Sequence, residues 1–130
     1  MRASLAVALA GGLLAGCGAP CSSRIVETAA APGGGRHAIL FGRDCGATTG
    51  SSTQVSVAKT AALPTGAGNA FVADLEAGET AATAWRGPWA SIRWLSPTQL
   101  LVSYDSRARI SVEKAQVDAV QVTYEAAAPP

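Results

Sequence analysis

The chain has 130 residues, with 10 Lys or Arg against 9 Asp or Glu and a formal net charge of +1. No basic excess is present to hold nucleic acid, and no polybasic run to hold an anionic membrane surface. One His and three Cys leave little material for a metal centre, and their spacing matches no zinc pattern. No motif calls for a cofactor.

In chain order, residues 1–16 read as an export signal. Arg2 supplies a positive start, and an uncharged apolar run follows from Leu5 to Leu14. The run falls short of the roughly 20 residues that span a bilayer as a helix. It fits the apolar core of a secretory signal, about 7–15 residues. Leu14-Ala15-Gly16-Cys17 resembles the lipobox of bacterial lipoproteins. That resemblance implies cleavage before Cys17, lipid on its sulfur and acylation of the new amino end. Several acyl chains on one residue anchor stably, whereas one alone binds marginally. The implied location is exported and membrane-anchored, on the periplasmic side of the outer membrane if the cell is Gram-negative, because Gly18 rather than Asp follows the cysteine. Loss of the signal leaves 114 of the 130 residues, the size of one domain. The expected partners are the membrane, through the lipid on Cys17, and a protein or other envelope component, with no nucleic acid.

Residues 17–23 are expected as a lipidated tether, 24–125 as one β domain and 126–130 as a loose tail. Arg24 to Ala29 alternates as a first strand. Pro32-Gly33-Gly34-Gly35 reads as a turn, since three glycines disfavour regular structure and permit positive φ. It lacks the Gly-Lys-Ser/Thr of a phosphate-binding loop, and no helical pattern follows. In the next segment His37, Ile39, Phe41 and Arg43 share one face, and Ala38, Leu40 and Gly42 the other. Apolar residues on both faces predict a central strand. Val55 and Val57 continue the pattern, and Asn69 to Asp74 reads as a short strand. Residues 75–88 form a long Ala/Gly/Thr loop with room for one short helix. Ala90, Ile92 and Trp94 alternate into a turn at Ser96-Pro97-Thr98-Gln99, and Leu100, Val102 and Tyr104 return. Two further alternating segments hold Ile110 and Val112, then Val120, Val122 and Tyr124. Regular strands without an amphipathic helix predict an all-β chain, a single small antiparallel β-sandwich or open barrel of about six to eight strands.

The stretch Arg43-Asp44-Cys45-Gly46-Ala47-Thr48-Thr49, followed by Thr53-Gln54-Val55-Ser56-Val57 and later by Asn69-Ala70-Phe71-Val72-Ala73-Asp74 and Ile92-Arg93-Trp94-Leu95, resembles a group of small bacterial envelope lipoproteins without assigned activity. Pro32-Gly33-Gly34-Gly35 departs from the Pro-Asp-Gly usual in that group. The resemblance implies one domain and no particular activity.

Cys45 would need a base to act as a nucleophile. His37 lies about 26 Å away along an extended strand, and Asp44 beside the thiol would raise its pKa. A disulfide with Cys21 is the better expectation. With Cys17 lipidated two thiols remain, and an oxidising compartment bonds an even pair. A hairpin across residues 32–35 would bring the start of the first strand beside the end of the second. Arg43, Asp44, Thr48 and Thr49 are candidate ligand contacts, although an ion pair and turn-closing hydroxyls also account for them. Trp85 and Trp89 flank Gly87-Pro88 as candidates for an exposed sugar-binding face, whereas alternation puts Trp94 in the core. The expected function is structural or binding, in a lipid-anchored envelope protein. The competing reading is a periplasmic hydrolase or thiol enzyme using Cys45 or a carboxylate such as Asp44 or Asp74.

Overall fold

The alternating segments fold into nine strands, and the described residues, 21–46 and 50–130 of a computed structural model, contain no helix. The export signal, Cys17, Thr48 and Thr49 lie outside them. The strands are β1 (Ser22–Ala30), β2 (His37–Asp44), β3 (Ser51–Ala58), β4 (Phe71–Asp74), β5 (Ala90–Ser96), β6 (Gln99–Asp105), β7 (Arg109–Glu113), β8 (Gln116–Val117) and β9 (Val120–Ala127). They form two sheets, ordered β1-β2-β3-β4-β7 and β5-β6-β9-β8. The architecture is a small β-sandwich, not closed into a barrel.

Period-2 alternation decides which residues meet between the sheets. Ala38, Leu40, Val55, Val57, Phe71 and Ala73 face inward from the first sheet. Ala90, Ile92, Leu100, Val102, Val120 and Val122 answer from the second. Each large aliphatic or aromatic side chain buried there contributes roughly 1.5–3 kcal/mol relative to exposure. Tyr104 and Tyr124 lie against Phe71, with ring centroids 5.5 and 5.7 Å away. Trp94 is half-buried against this core, and its indole N–H donates to Ala29 O at 2.8 Å, linking β5 to β1.

Apolar residues on both faces of β2 follow from its central place. On the outward side Ile39 and Phe41 are fully buried, beside Ser56 and Gln54 of β3. These two polar side chains fasten the segment that precedes β4. Gly68 N donates to Gln54 Oε1 at 2.7 Å, and Asn69 N to Ser56 Oγ at 3.1 Å. The Asn69 side chain accepts from Val57 N and donates to Val57 O, both at 2.8 Å. It thus takes the place of a neighbouring strand at the end of β3.

Two features differ from a purely antiparallel sandwich of six to eight strands. Two-residue β8 adds a strand, closed onto β9 by a turn in which Asp118 adopts φ 51°. More substantially, β6 and β9 pair in parallel, with Gln99 opposite Gln121. Between them the chain crosses to the first sheet as β7 and returns as β8. It reverses at residues 106–108 and again at 118–119, and two reversals restore the original direction. The strand limits also move outward. β1 starts at Ser22, and β9 reaches Ala127, which pairs with Asp105. The long loop at residues 75–89 contains no helix.

Candidate functional site

The site begins with the β1–β2 hairpin. Its turn runs through Gly33, Gly34 and Gly35, all at positive φ (82°, 78° and 87°), a conformation glycine adopts without steric cost. The register sets Ser22 opposite Asp44 and Arg24 opposite Gly42. A bulge at Val26 interrupts the ladder between Ile25 and Glu27. Cys21 and Cys45, one residue beyond the Ser22–Asp44 pair, therefore meet, and they are joined by a disulfide with Cα atoms 4.0 Å apart.

Beside this disulfide lies an open cleft of about 380 Å³, within the range of small-molecule sites. Its walls come from the ends of β1 and β2, the start of β3 and the loop before β5. They include Ser22, Arg24, Arg43, Asp44, Trp85 and Arg86. Trp85 enters because Gly42 leaves space for it. A Cβ on Gly42 would stand 2.8 Å from Trp85 Cβ and 2.9 Å from its Cδ1. The indole N–H donates to Thr53 Oγ1 at 2.8 Å, and the Thr53 hydroxyl donates onward to Pro88 O. Thr53 is fully buried, so both bonds form out of water. Gly87 packs against Thr53 and the Ser52 backbone so closely that a Cβ would collide. Thr83 completes the turn by donating to Gly87 O at 2.6 Å. Arg86, at φ 66°, sits in the left-handed region, which costs a non-glycine residue roughly 1–2 kcal/mol. The surrounding turn holds an arginine where glycine would be easier.

The charges of the cleft are distinctive. Seven arginines lie among the described residues. Arg36, Arg107 and Arg109 have carboxylate partners within 4.0 Å. Of the four without one, Arg24 and Arg86 border this cleft; Arg43 lines it from β2, but as the neighbour of Gly42 it projects its side chain to the other face of the sheet. The one acid in the wall, Asp44, accepts from Gly46 N at 3.0 Å and so closes its own loop. Ser22 and Ser51, on the same face as Asp44, add hydroxyls.

A neighbouring cavity of about 320 Å³ shares Ser51 and Arg86 but is lined by Asp74, Glu76 and Glu79. Asp74 is held by Arg109 through two bonds, 3.0 and 3.1 Å. Among the described residues no group of three His, Cys, Asp or Glu side chains is placed to hold a metal ion.

Of the residues singled out by sequence, the fold brings Asp44 and Trp85 together and sets the Cys21–Cys45 bond at their edge, while the Arg43 side chain belongs to the other face of β2. It does not bring Trp89. That side chain is half-buried and outside the cleft wall, and its carbonyl accepts from Asp105 N at 2.8 Å. His37 sits at the opposite end of β2 from Cys45. The sequence reading missed Arg24 and Arg86. Arg24 was legible in principle, because the hairpin that joins Cys21 to Cys45 also sets it beside Gly42. Arg86 had only its place next to Trp85 as a signal. No family model, no curated protein and no solved structure matches this chain.

Proposed function

We propose that the protein is exported, anchored to the cell envelope through lipid on Cys17, and acts there by binding. The observation that carries this reading is the Cys21–Cys45 disulfide at the edge of a cationic cleft. Disulfides persist in oxidising compartments, which accords with the lipobox-like Leu14-Ala15-Gly16-Cys17. Cys21 is the fourth residue after Cys17, so a lipid there would tether the cleft end of the sandwich close to the membrane. The bond also leaves Cys45 without a thiolate, and His37 lies at the far end of β2. Asp44 caps a loop and Asp74 is paired with Arg109. These commitments favour binding over acid–base or thiol chemistry.

The test is the intact mass of protein extracted from membranes. Residues 1–16 should be absent and acyl mass should sit on Cys17. Cys17→Ser should leave the chain uncut or free of the membrane. Full-length, unacylated wild-type protein in the cytosol would overturn the proposal.

A further inference from the structure

The chemistry of the cleft goes further than binding in general, and the step rests on the reading of that cleft as a binding site. Arginine forks match the oxygens of phosphate and carboxylate groups two at a time, and they are weakly hydrated enough to meet such groups at a partly buried surface. Arg24 and Arg86 line one cavity, have no carboxylate within 4.0 Å, and stand against a single acid, Asp44. The Ser22 and Ser51 hydroxyls supply further donors. Two guanidinium groups against one carboxylate leave the wall net positive, which suits an oxyanion. Trp85, fixed by Gly42 behind it and Thr53 at its N–H, adds a flat apolar wall. Sugar and other ring faces pack on such a surface. Arg86 is kept in a left-handed conformation in the same wall, and backbone strain of this kind gathers at ligand clamps.

We propose that the cleft binds a phosphate monoester carried on a ring, with the phosphate between Arg24 and Arg86 and the ring against Trp85. Two sources share this chemistry, a free sugar phosphate and a phosphate headgroup at the membrane surface.

The experiment is calorimetric titration of the purified full chain, disulfide intact, with glucose 6-phosphate, inorganic phosphate and glucose. Co-sedimentation with phosphatidylcholine vesicles, with and without phosphatidylinositol 4-phosphate, accompanies it. Glucose 6-phosphate should bind more tightly than inorganic phosphate, and glucose should not bind. Arg24→Gln should weaken binding about tenfold or more, the loss of one charge-assisted contact. Arg93→Gln is the control, an exposed arginine on β5 outside the cleft, and should bind as wild type. Asp44→Asn should tighten binding a few-fold by removing the one opposing charge, an effect of opposite sign that misfolding cannot imitate. Arg86→Gly should weaken binding about tenfold while the thermal midpoint stays or rises, since glycine accepts the left-handed turn. Binding to the soluble ester identifies a free ligand, and sedimentation that rises only with phosphatidylinositol 4-phosphate identifies a headgroup. Either outcome supports the site, provided the arginine variants follow. No binding to any probe, or an Arg93→Gln loss equal to that of Arg24→Gln, overturns it. If the probes fail while acylated, processed protein is still recovered from membranes, the ligand assignment falls and the anchoring stands.

Discussion

Thr53 and Gly42 show how two small residues place a large one. Neither marks itself in the sequence as more than part of a strand. Thr53 lies on β3 and Gly42 on β2, paired directly across the ladder. Gly42 removes a Cβ where Trp85 must pass, and the Thr53 hydroxyl both accepts the Trp85 N–H and donates to Pro88 O. Gly42→Ala should therefore push Trp85 out of position. Overpacking of this kind typically costs about 1–3 kcal/mol, readable in the urea midpoint, and the tryptophan emission should shift as the indole gains water. An unchanged midpoint and spectrum would mean that the loop yields freely. Asp44 and Trp85 were legible as candidates because their residue types are uncommon in bland strands, whereas alternation turns the Arg43 side chain to the other face of β2. Arg24 and Arg86 were not legible, since an isolated arginine at a strand start or in a loop reads as surface. Only the register and the turn show that they share a wall.

At the scale of elements, the β1–β2 hairpin carries the most. Its turn, its pairing and its disulfide were all legible, because three glycines and two cysteines restrict what the chain between them can do. The bulge at Val26 was not legible. It arises where β1 must offer Val26 and Ala29 to the core on one side while staying paired with β2. The disulfide closes a span with a sequence separation of 24, worth roughly 3–3.5 kcal/mol in the chain-entropy model. Cys21→Ser with Cys45→Ser should lower stability by about that amount in denaturant titration. It should also loosen the start of β1, seen as faster amide exchange at Ser23 and Arg24, with β5, β6 and β9 unaffected. Thiol counting on unreduced, denatured protein should find neither Cys21 nor Cys45 free. Two reactive thiols there would show that the bridge does not form. The parallel β6–β9 pair escaped the sequence for a different reason. Alternation reports which residues are buried but not which sheet a strand joins. The departure of β7 to the other sheet depends on its fit beside β4.

For the whole molecule, the sandwich is fastened at its ends by two polar devices, and together they bound the pH range of stability. At one end Asp105, 1% exposed, accepts from Arg107 N, Nε and Nη2 at 2.9, 3.2 and 2.8 Å. Arg107 also reaches Glu79 Oε2 at 3.1 Å, tying the β6–β7 turn to the loop that carries Trp85. Hydrogen bonds from Arg107 hold the Asp105 carboxyl below its ordinary 3.8, against the opposing effect of burial. At another corner the Tyr124 hydroxyl lies 2.8 Å from both Ala70 O and Lys114 O and donates between them, joining β9 to the chain flanking β4 and β7. Burial, with the charge of Glu113 adding to it, pushes this hydroxyl up to about 12. The two signs are opposite. A lowered acid stabilises the fold fully above its unfolded value, and that contribution is lost as pH falls from about 3.8 through the lower folded value. A raised phenol stabilises the fold fully below about 10, and the contribution is lost as pH rises through about 12. Urea midpoints should thus be flat between these limits and fall on both sides. Asp105→Asn should cost about 1–3 kcal/mol at neutral pH, the usual cost of leaving buried partners poorly matched, and should flatten the acid limb. Tyr124→Phe should flatten the alkaline limb and abolish the late-ionising phenol in an absorbance titration. If Asp105→Asn lowers stability equally at pH 3 and pH 7, the network acts through packing alone and the titration of Asp105 plays no part.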